Sequence, residues 1–254
     1  MADAFLTHRG KHKSELHGIA YLDLLGSTAK ISSEKSDFYL GEIYSIYEAA
    51  TIFTKKQYFS KFGFNQIKIK IFSDNIVIAM PLYSHNDDVN RIECLLNFVS
   101  IIQNQAVITH SWLVRGGITI GELFLDDMLV WGTGLVHAYK LESNVAKYPR
   151  IIIDREIFNA YVLESPSFCQ DDDGYYFLDF LNSVSSFDAH GNDNSVQLAK
   201  TSYLQLLDNV KISGCDRSEK VYEKLRWYGN YINSWYREKY PSDTYPLIDI
   251  SVIN

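Results

Sequence analysis

The segment QIKIKIFSDNIVIAM, Gln66 to Met80, constrains the fold more than any other in this chain. Isoleucine alternates with lysine up to Phe72, the period-two pattern of a strand buried on one face. Ile76–Met80 is continuously apolar, and Ser73-Asp74-Asn75 between the two runs is turn chemistry. The segment is therefore expected to form a β-hairpin with an aspartate at its tip.

A second stretch, IAYLDLLGST from Ile19 to Thr28, poses the same situation again. Ile19–Leu22 reads as a strand, Asp23 arrives where it should end, and Gly26-Ser27-Thr28 follows as a small turn. Between the two stretches, Leu40, Ile43, Tyr44, Tyr47, Ala50 and Phe53 recur at helical spacing over residues 37–60. Asp87 and Asp88 open another helix, with Ile92, Leu95, Leu96, Val99 and Ile102 on its stripe. Trp112–Phe124 reads as a long strand, Asp126-Asp127 as a turn and Met128–Trp131 as a short return strand. A helix over Gly132–Lys147 and a strand over Arg150–Ile153 follow.

This order of elements suits a mixed α/β (α+β) domain, with a largely antiparallel sheet flanked by helices. Residues 1–163 are assigned to it. Residues 164–254 read as a helical C-terminal extension packed on the same domain: a strand over Tyr175–Phe180, a polar loop over Val184–Asn194, and helices near Ser195–Val210 and Ser218–Tyr240.

A net charge of −7 argues against nucleic acid as a partner, because neutralising phosphates takes clustered Lys and Arg. A nucleotide remains compatible, since a divalent cation reconciles carboxylates with phosphates. Cys94, Cys169 and Cys215 are scattered and odd in number, as reduced thiols of a cytoplasmic protein would be. The polar, basic N-terminus has no signal-peptide core, and no run of about 18 apolar residues is apparent, so no membrane association is expected.

If the hairpin lies beside the first strand, Asp23 and Asp74 meet at one edge of the sheet. Alone they would repel. Two hard cations, Mn2+ or Mg2+, would relieve that and keep coordination places for substrate phosphates. Gly26, Ser27 and Thr28 could then offer backbone N–H groups to a triphosphate. Singly, each aspartate has an ordinary role, Asp74 in a hairpin turn and Asp23 as a helix cap. Their matching contexts favour the metal reading.

Four elements, in order, resemble the catalytic domain of class III nucleotidyl cyclases. Asp23-Leu24-Leu25-Gly26-Ser27-Thr28 is similar to the family's D-I-x-G-F-T, and Ile69-Lys70-Ile71-Phe72-Ser73-Asp74 to its I-K-T-I-G-D hairpin. Arg115-Gly116-Gly117-Ile118-Thr119-Ile120-Gly121 resembles R-x-G-I-x-x-G. Trp131-Gly132 followed by Ala138, Lys140, Leu141 and Glu142 resembles W-G-x-x-V-N-x-A-x-R-L. The resemblance implies metal contacts at Asp23, Leu24 and Asp74, and substrate contacts at Leu24, Gly26, Ser27, Thr28, Lys70 and Leu129. It implies a catalytic, transition-state role for Lys140.

The departures narrow the expectation. Leu129 stands where purine cyclases carry a base-reading Asp, Val136 where they carry an Asn, and Lys140 where they carry an Arg. A leucine cannot hydrogen-bond a purine edge, and the R-G-G-I strand resembles that of the Pycsar pyrimidine cyclases of antiphage defence. Those proteins imply CTP or UTP as substrate and a homodimer whose active sites are shared between copies. They also imply an indirect link to an effector that senses the cyclic nucleotide. The alternatives are an inactive cyclase-fold module that binds nucleotide or dimerises, and a conventional adenylate cyclase. Arg115, ahead of two glycines, is expected to pair with a carboxylate, His137 to be exposed, and Tyr44 and Tyr47 to pack in the core.

Overall fold

The computed structural model describes residues 13–62, 66–83, 85–161, 168–183, 194–212 and 219–253. In chain order it begins with β1 (Glu15–Leu24), α1 (Ser27–Ile31), α2 (Ser36–Phe62), β2 (Lys68–Phe72), β3 (Asn75–Pro81) and α3 (His85–Asn104). Then come β4 (Val114–Leu125), β5 (Val130–Trp131), α4 (Thr133–Lys140), β6 (Ile151–Ile153) and α5 (Arg155–Ala160). β7 (Phe168–Gln170), β8 (Tyr176–Leu178), α6 (Phe180–Ser183), α7 (Ser195–Ile212) and α8 (Glu219–Lys239) complete it. The expected loop over 184–193, the residues just before α8 and Cys215 lie outside the described residues.

β1 is the spine. It pairs antiparallel with β3 on one side and β4 on the other, in a sheet of order β2-β3-β1-β4-β6-β8-β7 with β5 folded back on β4. Among the described residues the one parallel pair is β4 with β6, and the crossover between them runs through α4 and a π-helical turn, Leu141–Val145. The architecture is the expected one, a mixed, largely antiparallel sheet flanked by helices. The hairpin forms as its alternation requires, with Phe72 opposite Asn75 and only Ser73 and Asp74 between them. Ser73 adopts φ 59°, the left-handed region that tight hairpin loops use.

Alternation along β1 and β4 sorts the core. Leu22, Leu24, Ile118 and Ile151 face α2 and α3, where Ile92, Leu95, Phe98 and Trp112 complete the main cluster. Ile19, Val77 and Leu123 pack on the opposite face against Ala138 of α4. Ile152 and Phe177 anchor a third cluster with Tyr203, Leu225 and Tyr228 of α7 and α8. Residues beyond 164 thus add two strands to the same sheet, as well as helices. Helix α4 sits close on β4 because Gly121 faces Gly134. A Cβ on Gly121 would lie 2.6 Å from the Gly134 Cα.

Two expectations need correction. Helix α2 does not bury the whole expected stripe: Ile46 and Ala50 are buried, Ile43 and Tyr47 half-buried, and Leu40, Tyr44 and Phe53 exposed. Apolar residues run round this helix rather than along one side, so the spacing does not fix which face turns inward. The stretch Asp87–Thr109 is in fact long and apolar enough, by length and composition, to cross a bilayer. In the fold 78% of its apolar window is buried, as a core helix requires.

Candidate functional site

The register of β1 carries the site. Asp23 lies opposite Asn75 on β3 and opposite Arg115 on β4, so these residues stand side by side across three strands. Tyr21 and Asp23, two apart on β1, share the α4 face. The hairpin tip folds against the end of β1: the Leu24 N–H donates to the Asp74 carbonyl at 3.0 Å. The two aspartates expected to meet are therefore neighbours at one tip of the sheet.

Their side chains are held differently. Asp74 Oδ2 accepts from the Ser27 hydroxyl at 2.5 Å and Oδ1 from Asn75 Nδ2 at 3.0 Å. The Ser27 bond holds the Asp74 carboxyl below its ordinary 3.8, against a smaller opposing effect of burial. Asp23 Oδ2 accepts from Arg115 Nε at 2.9 Å, the carboxylate pairing expected of Arg115. The same Nε is ion-paired with Glu142 Oε1 at 2.7 Å, but off the hydrogen-bonding direction, so that oxygen has no donor among the described residues. Glu142 is only 3% exposed. Burial pushes its carboxyl up, while Arg115 opposes that shift and Asp23 adds to it. The Tyr21 hydroxyl donates to Asn75 Oδ1 at 2.8 Å, and burial, then Glu142 and Asp23, push it up to about 12.

Gly26 turns the chain at φ 79°, a conformation that favours glycine, and leads into α1 with Ser27 buried. The helix is five residues long, so it offers the N–H groups of one turn rather than a macrodipole.

The donors at the tip suit a hard divalent cation in kind. Asp23 and Asp74 supply carboxylate oxygens, and Asp74 is kept anionic by Ser27. Among the described residues no group of three or more His, Cys, Asp or Glu forms a self-sufficient metal nest. A pair of carboxylates completed by water, a backbone carbonyl and substrate phosphates is the pattern Mg2+ and Mn2+ accept. The residues fit, with Arg115 as the competitor for Asp23.

Lys70 and Leu129 come together elsewhere. Lys70 Nζ donates to the Asp127 carbonyl at 2.7 Å, in the turn that carries Leu129, whose N–H donates to Asp126 Oδ1 at 2.7 Å. Lys70 sits across from Val77, two positions along β3 from Asn75. Leu129 is 45% exposed, and Lys140 and His137 are exposed on α4. Phe72, Met128, Trp131, Val136 and Tyr139 are also exposed.

A cleft of about 510 Å³ opens on the other side of Asp74, lined by Ser27, Tyr39, Tyr44, Tyr47, Ile71 and Trp112. Tyr44, expected in the core, is 62% exposed at its mouth, whereas Tyr47 does pack against the core. Beside the cleft the Lys30 ammonium lies 3.5 Å from the centroid of the Trp112 ring and 5.0 Å from that of Tyr39. Burial pushes Lys30 from 10.5 down to about 8, against the pull of Glu42, and the aromatic faces offset part of that penalty.

Sequence reasoning missed Glu142, Tyr21, Asn75 and Lys224. Glu142 directly follows the Lys140-Leu141 pair, and Tyr21 lies two residues before Asp23, so both carried a spacing signal. Lys224 on α8 carried none. It is pushed down by burial and then by Arg115, with Asp23 opposing, which places a residue of the C-terminal helix within electrostatic reach of the Asp23 cluster.

No protein-family model and no curated protein matches this chain. Among solved structures it is similar to a class III adenylyl cyclase-like ATP-binding protein from Pseudomonas aeruginosa, at 11% identity and a TM-score of 0.42. The likeness covers 59% of this chain and 35% of that one, so this chain spans about a third of that protein.

Proposed function

We propose that this chain is a class III-type nucleotidyl cyclase that converts CTP or UTP to the 3′,5′-cyclic mononucleotide and pyrophosphate. The product would serve as a second messenger for a cyclic-nucleotide-sensing effector in antiphage defence, in the cytoplasm. The observation that carries the reading is the meeting of Asp23 and Asp74 at one sheet tip beside the Gly26–Thr28 turn.

The reaction is an internal displacement. The ribose 3′-oxygen bonds to the α-phosphorus, the bond from that phosphorus to the bridging oxygen breaks, and pyrophosphate leaves with the electron pair. Bound by Asp23, Asp74 and the Leu24 carbonyl, two Mn2+ or Mg2+ ions would lower the pKa of the 3′-hydroxyl and neutralise the triphosphate. The chain's own work is positioning. Ser27 orients Asp74, Gly26 lets phosphate approach the backbone, and Thr28 adds a hydroxyl to the same turn. Leu129 presents an apolar edge where a carboxylate would select a purine, which favours a pyrimidine.

Lys70, Leu129 and Lys140 are assigned to the site of a second copy. The exposed Phe72, Met128, Leu129, Trp131, Val136 and Tyr139 supply apolar surface for such a homodimer. Asp23→Asn and Asp74→Asn should each abolish cyclic nucleotide formation while leaving a folded protein. Near-normal turnover in either variant would refute the assignment.

One observation favours a second reading, a nucleotide-binding module without turnover: Arg115 already occupies Asp23. That reading requires nucleotide binding with no cyclic product at any Mn2+ concentration.

A further inference from the structure

We infer that Glu142 is a positioning residue, the buried carboxylate that receives Arg115 when a divalent cation takes Asp23. This rests on the metal reading of Asp23 given above. Arg115 Nε carries one hydrogen, and it points at Asp23, 2.9 Å away. Glu142 Oε1 is nearer, at 2.7 Å, yet receives no hydrogen bond from any described group. A buried carboxylate oxygen without a donor is costly, and the ion pair with Arg115 offsets only part of that cost.

The arrangement has two states separated by a small swing of one side chain. In the state seen here, Arg115 hydrogen-bonds Asp23 and is ion-paired with Glu142 without a hydrogen bond to its Oε1. A cation at Asp23 repels the guanidinium and withdraws its acceptor. Arg115, with its side chain only 26% exposed, then needs an anion within reach, and Glu142 already stands at contact distance. The exchange keeps Arg115 paired and gives the orphaned oxygen its donor. Glu142 sits in the π-helical turn that closes α4. That turn is fixed to the sheet, since a Cβ on Gly117 of β4 would lie 2.4 Å from the Leu141 Cβ. The receiving carboxylate is therefore held in place. Lys224 of α8 also lies within electrostatic reach of Asp23 and Arg115.

A purely structural ion pair would join β4 to the α4 turn and act on a cation at Asp23 by charge alone, so Glu142→Gln would weaken Mn2+ binding equally with Arg115 present or replaced by Gln. The two roles separate in Mn2+ binding without nucleotide, followed by loss of the free-ion electron paramagnetic resonance signal. Thermal unfolding of each variant shows that it is folded. Glu142→Gln keeps shape and removes only the receiving charge, so Mn2+ must displace Arg115 with nowhere to send it. Affinity should fall about tenfold, a middling coupling for charged neighbours. Removing the competitor as well, in Glu142→Gln/Arg115→Gln, should return affinity to within about threefold of the wild type. Unchanged affinity in Glu142→Gln, or a double variant as weak as the single one, would overturn the inference while leaving the metal reading standing. If the wild-type chain binds no Mn2+, the metal reading itself fails and takes the inference with it.

Discussion

Gly121→Ala tests how tightly the site depends on the seating of α4. The added Cβ would meet the Gly134 Cα at 2.6 Å and the Gly134 nitrogen at 3.1 Å. Ordinary carbon contacts begin near 3.4 Å, so the shortfall is about 0.8 Å. The obstacle is backbone, so no rotamer change relieves it, and helix and strand must separate. Overpacking of this kind costs about 1–3 kcal/mol. For a chain of this size that lowers the melting temperature by roughly 2–12 °C. The shift also reaches the site, because α4 ends at Lys140 and its closing turn holds Glu142 beside Arg115. A displacement near 1 Å can cost about a hundredfold in rate. The control is Gly41→Ala on α2, where a Cβ meets nothing within 4 Å. There the same change should stabilise by about 0.5–1 kcal/mol, through helix propensity alone. Thermal unfolding and Mn2+-dependent pyrophosphate release would be measured on both. If Gly121→Ala melts with the wild type and turns over at the same rate, the glycine contact does not seat the helix and the reasoning is wrong.

Two further outcomes follow from the same structure. Folded Lys30 gives up its proton near 8, while the unfolded chain keeps it to the ordinary lysine range near 10.5. Between those values the unfolded state binds more protons, so stability should rise with pH. Lys30→Met should flatten that part of the denaturation profile, and an unchanged slope would contradict the burial argument. Arg150 is fully buried and pairs with Asp171 and Asp173, while the Trp227 indole donates to Asp171 at 2.8 Å. Arg150→Met strands the two carboxylates and should destabilise by about 3 kcal/mol, tempered by the partial exposure of Asp173. Trp227 fluorescence should shift to the red as α8 loosens, and an unshifted spectrum would count against that link.

Strands with strict alternation were legible in the sequence. The alternation of Gln66–Phe72 marked a strand, although Ile71 on its apolar side stays exposed at the cleft, and the turn after it put Asp74 at a tip whatever the surrounding fold. The meeting of Asp23 with Asp74 followed from one added step, pairing of the first strand with the hairpin. The facing of α2 was not legible, because its apolar residues encircle it and only the packed sheet decides that Ile46 goes in and Tyr44 out. The three residues of β7 are too few to show a period. Arg115 announced a carboxylate partner, but the choice of Asp23 is fixed by the β1–β4 register, which no local pattern states. Glu142 fell inside the expected Gly132–Lys147 helix with nothing to mark it as buried, and its burial comes from the turn folding down on Gly117. Lys224 reaches the cluster from a helix more than a hundred residues away from Arg115.

The most direct test of the central claim is a competition among substrates. Wild-type protein and Asp74→Asn would be incubated in parallel with equimolar ATP, GTP, CTP and UTP plus Mn2+, and the products resolved by mass spectrometry. The account predicts cyclic CMP or cyclic UMP from the wild type and no cyclic product from the variant. Cyclic AMP as the main product would contradict the reading of Leu129, and the same product from both proteins would contradict the assignment of the site.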